Sequence, residues 1–185
     1  SLGMMADLID AVEALRSAPP VALLVYGRGG GAFCAGGDLR EVRAHLMDEA
    51  AAKGMPVAMG DALDALQSLP TVVVAAVEGA ALGGGAELVT VADWVVASDS
   101  ARIGFVHVGL GVTPGWGGAR RLIARVGKTV AADLLLQARQ LDAEQAKECG
   151  LVNLVTPAGD AVQQARDWIR RVVKRPHSAV RGLVE

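Results

Sequence analysis

Gly83-Gly84-Gly85 is followed two residues later by Glu87, and the whole run from Gly79 to Leu88 stands directly after the apolar stretch Thr71 to Val77. A buried strand that ends in consecutive glycines and then enters a helix leaves backbone N–H groups free to face a ligand, here beside one carboxylate. Such a site suits the stabilisation of an oxyanion. A second segment has the same build: Val21 to Val25, then Gly27 to Gly37, then Asp38-Leu39. Two strand, glycine turn and helix units can aim two backbone N–H donors at one carbonyl oxygen.

These turns need strands and helices to hold them. Apolar residues at Leu8, Ile9, Val12 and Leu15 predict a helix over Leu2 to Leu15 that stops at Pro19-Pro20. Val21 to Val25, Thr71 to Val77, Trp94 to Ala97, Ala101 to Phe105 and Leu151 to Val155 read as short strands. A helix is expected from Asp38 to Met47, an interruption at Gly54 to Pro56, and a resumed helix over Asp61 to Leu69. Further helices are expected over Ala86 to Ala92, Ala119 to Val126, Val130 to Ala138, Ala143 to Cys149 with Asp142 as N-cap, and Asp160 to Val173. Gly109 to Gly118 reads as glycine-rich loop. Buried apolar runs alternating with helices indicate an α/β fold.

The 185 residues, 52% hydrophobic, suit a single domain over 1–185. A formal charge of −2 offers no global attraction to nucleic acid. Cys34 and Cys149 lack metal-ligand spacing, so reduced thiols, no metal site and a cytoplasmic or organelle-matrix location are expected. No run of about 18 uninterrupted apolar residues predicts a membrane span. Because the sequence opens on Ser1 rather than Met, it is expected to be part of a longer product.

Ala32-Phe-Cys-Ala-Gly-Gly-Asp-Leu39, Val77 to Leu88, Asp93, Gly111-Val-Thr-Pro-Gly-Trp-Gly-Gly118 and Arg121-Leu122 together resemble the crotonase superfamily of enoyl-CoA hydratases and isomerases. The resemblance runs across nearly the whole chain. It implies a spiral of repeated ββα units, with two further strands before this sequence and a pair of helices after it. It also implies an acyl-CoA substrate, with coenzyme A as part of that substrate and no separate cofactor, and assembly as a homotrimer or dimer of trimers.

By the same resemblance, the thioester oxygen sits between the N–H groups of Gly37 and Gly84, each donor worth ~3 kcal/mol in an oxyanion hole. Phe33, Ala35, Gly36 and Asp38 would follow the CoA chain. Leu82, Gly83, Pro114 and Trp116 would complete the substrate site. Glu87 matches one catalytic glutamate of the hydratases. The position of the other falls on His107.

Phe105-Val-His107 ahead of the glycine-rich loop looks more like the branch that decarboxylates ethylmalonyl-CoA and methylmalonyl-CoA. A hydratase or isomerase using Glu87 with His107 is a second reading, and a CoA-ester-binding assembly protein without catalysis a third. Asp38 serves equally as a helix cap or a ligand. Arg120 and Arg121 are expected to be surface or interface charges, and His45, His177 and both cysteines to have no chemical role.

Overall fold

The computed structural model describes residues 1–29, 31–38 and 49–184. Residues 39–47 of the helix expected from Asp38 to Met47, His45 among them, lie outside the described residues. The chain opens with α1 (Leu2–Ser17), whose Ser1 hydroxyl caps the first turn, and continues into β1 (Ala22–Tyr26). After α2 (Glu49–Gln67) come β2 (Val72–Val77), β3 (Ala80–Leu82) and α3 (Gly84–Val89). Next are β4 (Trp94–Ser98), β5 (Arg102–Gly104), a 3-10 turn (Val106–Leu110), α4 (Gly118–Val126) and α5 (Lys128–Leu136). The chain closes with β6 (Gln140–Asp142), α6 (Ala143–Glu148), β7 (Leu154–Thr156), α7 (Ala161–Val172) and α8 (His177–Arg181).

Strands β1, β2, β4 and β7 form a parallel sheet in the order β1-β2-β4-β7. Strand β3 pairs in parallel with β5, and β5 antiparallel with β6, in a second sheet. Each turn of the chain thus lays one strand in each sheet, β2 then β3, β4 then β5, before a helix closes it. This is the α/β spiral of ββα units. The earlier turn follows suit through a parallel bridge between Cys34 and Ala81.

Every residue of β2 is buried because both faces of the first sheet are covered. Val73, Ala75 and Val77 face the main core with Met59, Leu63 and Leu66 of α2. Val72, Val74 and Ala76 face Ala161, Ala165 and Trp168 of α7. Trp168 stacks on Trp94 with ring centroids 5.1 Å apart. α7 is held at its start by Glu78, whose carboxylate accepts from the N–H groups of Gly159 and Ala161 at 2.9 Å each.

Several elements depart from the sequence-based expectation. α2 runs through Pro56 with no break at Gly54 to Pro56. Proline withdraws one helical hydrogen bond, but burial of Met59, Leu63 and Leu66 on the core keeps the helix continuous. α3 starts within the glycine run, two residues earlier than expected, and ends at Val89. Strands β3 and β6, three residues each, exist through pairing with β5 and carry no periodic signal of their own. The closing strand is shorter than Leu151 to Val155, because the N–H groups of Leu151 and Val152 are drawn back onto the Ala146 carbonyl. Val106–Leu110 folds as a 3-10 turn, and α8 is an additional helix.

Candidate active site

The two glycine segments meet backbone to backbone. Cys34 N–H donates to the Ala80 carbonyl at 3.0 Å, and Leu82 N–H donates to the Cys34 carbonyl at 2.9 Å. No side chain fits between them: a Cβ on Gly85 would strike the Cys34 carbonyl, and one on Gly36, at φ +96°, would lie 2.9 Å from the Leu82 carbonyl oxygen. Residues 34–37 therefore lie along β3, and Gly37 and Gly84 wall the same cavity. Gly83, at φ 55°, turns the chain into α3 while its N–H donates to the Gly104 carbonyl at 2.9 Å. As the first residue of α3, Gly84 has no acceptor for its N–H within the helix.

Glu87, 1% exposed, projects from α3 onto the loop before α4. Its Oε2 accepts from the N–H groups of Trp116 at 2.9 Å and Gly118 at 2.8 Å. Its Oε1 accepts from Gly115 N–H at 3.3 Å and faces His107 Nε2 at 3.1 Å. Each oxygen thus has two partners, which fills the acceptor capacity of a carboxylate. Gly118 has to be glycine here, because a Cβ would strike the Glu87 side chain.

The 3-10 turn carries His107 over Gly83, where a Cβ would sit 3.9 Å from Nε2. Its Nδ1 is buried without a hydrogen-bond partner among the described residues. Behind the loop, Arg121 is 3% exposed, which corrects the expectation of a surface charge. Burial pushes its guanidinium pKa down, while Asp64 and Glu87 oppose that shift. Arg120 is exposed and pairs with Asp64 at 2.7 Å. Asp93 accepts from Val73 N–H at 2.7 Å and so fastens the start of β4 to β2.

A cavity of about 440 Å³ opens beside Glu87 and His107. Ala35, Gly36, Gly37, Leu82, Gly83, Gly84 and Trp116 are among its walls. Phe33 is buried in the main core instead, Asp38 is exposed, and Pro114 is half-buried, and none of the three belongs to the described walls. Met5 of α1, Met55 of α2, Leu110 and Val112 complete a mostly apolar lining, with Thr113 and Gln140 as polar additions. Met5 lies three residues before Leu8 on the stripe expected of α1, which does not signal a cavity wall, and Met55 falls inside the interruption expected at Gly54 to Pro56. Among the described residues no three His, Cys, Asp or Glu side chains are grouped to hold a metal ion. No described helix is long and apolar enough to cross a membrane.

The enoyl-CoA hydratase/isomerase family model matches residues 1–185. The chain belongs to that family. It is 37% identical to ethylmalonyl-CoA decarboxylase of Xenopus laevis over 183 residues, which cover 97% of this chain and 60% of the relative. Against the Danio rerio ethylmalonyl-CoA decarboxylase it is 40% identical over 166 residues, covering 88% of this chain and 54% of the relative. The chain therefore spans little more than half the length of these curated relatives. The crystal structure of an enoyl-CoA hydratase from Bacillus anthracis superposes with a TM-score of 0.92 at 32% identity, covering 100% of this chain and 71% of that one. The fold and the family are those the glycine turns pointed to.

Proposed function

We propose that this protein decarboxylates a short branched malonyl-CoA, such as ethylmalonyl-CoA or methylmalonyl-CoA, through an enolate held by Gly37 and Gly84. The observation that carries the reading is the state of Glu87. Hydration needs a carboxylate with a free lone pair to take a proton from water. Both Glu87 oxygens already face two donors each, and by the family resemblance His107 falls at the position of the second carboxylate. Decarboxylation asks less of the site. It needs an electron sink and a proton.

In the proposed reaction the thioester oxygen accepts from the N–H groups of Gly37 and Gly84. The bond between the α-carbon and the carboxylate breaks, CO2 leaves, and the electron pair moves through the α-carbon onto the thioester oxygen. Fixed N–H donors stabilise that charge without reorganising, worth ~3 kcal/mol each. The apolar walls from Met5, Met55, Leu82 and Leu110 favour the step further, because a concentrated carboxylate charge becomes a dispersed enolate charge and neutral CO2. The His107–Glu87 pair takes up one proton from solvent, gives one to the α-carbon, and returns to a neutral imidazole beside a carboxylate. One malonyl-CoA and one proton give one acyl-CoA and CO2, with no cofactor beyond the CoA of the substrate. A homotrimer or dimer of trimers is the assembly we propose for it.

The experiment is incubation of the protein with ethylmalonyl-CoA, methylmalonyl-CoA and crotonyl-CoA, following CO2 release and the acyl-CoA products. Decarboxylation of either malonyl ester supports the reading. Hydration of crotonyl-CoA alone returns the site to the hydratases, and binding of the esters without turnover makes it a non-catalytic CoA-ester module.

A further inference from the structure

We propose that Arg121 is a positioning residue for the chemistry of this site: it closes a ring of hydrogen bonds that fixes the Glu87 carboxylate relative to Glu87's own backbone. The inference rests on the reading above only in giving Glu87 a part in the reaction. Four bonds form the ring. Thr90 Oγ1 donates to the Glu87 carbonyl at 2.6 Å. Arg121 Nε donates to Thr90 Oγ1 at 3.2 Å. Arg121 Nη2 donates to the Trp116 carbonyl. Trp116 N–H donates to Glu87 Oε2 at 2.9 Å.

The circuit leaves Glu87 by its main chain and returns by its carboxylate. Arg121 is its one charged member other than Glu87, and its side chain is 1% exposed. The remaining guanidinium nitrogen, Nη1, donates to Asp64 Oδ1 at 2.6 Å, so the charge is paired while Nε and Nη2 are free to serve the neutral acceptors. The loop is shaped around this group: Gly117, at φ +78°, would place a Cβ 2.9 Å from Nη1. Only a planar fork with donors in several directions reaches Asp64, Thr90 and the Trp116 carbonyl together, and the compact ammonium of lysine does not.

A guanidinium that merely joined α4 to α2 would need the Asp64 contact alone. The bonds to Thr90 and the Trp116 carbonyl do something else. They hold the Trp116 carbonyl, which lies on the chain between the two N–H groups that Glu87 Oε2 accepts, those of Trp116 and Gly118, so fixing it fixes the segment that carries both. Without them the loop that presents three N–H donors to Glu87 has no fixed register.

The test uses Arg121→Lys and Thr90→Val, the second breaking the ring with the Arg121–Asp64 pair intact. Two readouts are taken: kcat and KM with the malonyl ester, and site-resolved hydrogen exchange at the Trp116 and Gly118 amides. A displacement of about 1 Å at a reacting group costs up to about 100-fold in rate, so kcat should fall by about tenfold to 100-fold in both variants while KM stays within about twofold. Exchange at those two amides should quicken by more than the global average. Wild-type kcat with wild-type protection at both amides in either folded variant overturns the proposal, as does a loss of thermal stability without those two changes. Should Arg121→Lys not fold, Thr90→Val decides alone. If the wild-type protein turns over no ester, it is the functional reading that fails, and the exchange comparison still decides whether Arg121 holds the loop on Glu87.

Discussion

His107 Nε2 lies 3.1 Å from Glu87 Oε1, and the other ring nitrogen, Nδ1, is buried with no partner among the described residues. A neutral imidazole carries its proton on one nitrogen only. A carboxylate beside Nε2 calls for that proton there, and the unpartnered Nδ1 is spared an unsatisfied buried N–H. The Nε2–H tautomer is therefore the one the site selects. His107 is a donor to Glu87, and both side chains wall the cavity.

Replacing Glu87 by glutamine tests how far this arrangement depends on a carboxylate. The amide NH2 of Glu87→Gln must face N–H donors on one side of the site, either Trp116 and Gly118 or Gly115 and His107. Leaving buried donors unsatisfied costs about 1–3 kcal/mol, so the thermal midpoint should fall. Loss of a group positioned for proton transfer costs about 100-fold to 10,000-fold in kcat. A variant that keeps kcat within about tenfold of wild type would remove Glu87 from the chemistry.

His107→Glu puts a second carboxylate against Glu87 Oε1. Two carboxylates at such a distance do not both ionise readily, and one is pushed up in pKa. The pair would then offer an acid and a base for water. Hydration of crotonyl-CoA should appear in this variant, with decarboxylation of the malonyl ester reduced by about tenfold or more. Parallel product analysis on both esters checks it. Unchanged decarboxylation with no hydration would show that His107 decides neither reaction.

The parts of the site legible in the sequence are those whose signal is local. Gly83 to Glu87 and Gly27 to Gly37 sit within single segments, and Asp142 lies three residues from Gln145, so each can be read from a few neighbours. Arg121 cannot. Its partners Asp64, Thr90 and Trp116 come from three separated segments, and in sequence it is one more arginine on an amphipathic helix. The same reason hides β3 and β6, which have three residues each and depend on β5. Pro56 misleads for the opposite reason, because its strong local signal is overridden by the buried face of the helix around it.

Gly84 should tolerate no side chain while Trp116 keeps its place. A Cβ at this position would run into the outer ring of the Trp116 indole, at Cη2 and Cζ3. Overpacking of this kind costs about 1–3 kcal/mol, and the displaced Trp116 carries one of the N–H groups that hold Glu87. Gly84→Ala should therefore lose both stability and kcat/KM. Adding Trp116→Phe, which shortens the ring system, should restore part of the stability. A double-mutant cycle by urea denaturation measures this coupling, and strict additivity would refute the contact.

Asp142 offers a change that should reach stability without reaching the chemistry. Its carboxylate accepts from Gln145 N–H at 2.9 Å, and the Gln145 side chain accepts from Asp142 N–H at 3.1 Å, a reciprocal capping box at the start of α6. Neither residue walls the cavity beside Glu87. Asp142→Ala removes the cap and leaves an N-terminal N–H of α6 without its acceptor, at a cost of about 1 kcal/mol. Urea denaturation should show that loss, with kcat and KM at wild-type values. The backbone of β6 ends at Asp142, where it pairs with Arg102 of β5. A fall in kcat would therefore mean that the second sheet transmits strain at this edge to Leu82 and Gly83, the part of the wall that β5 supports through β3.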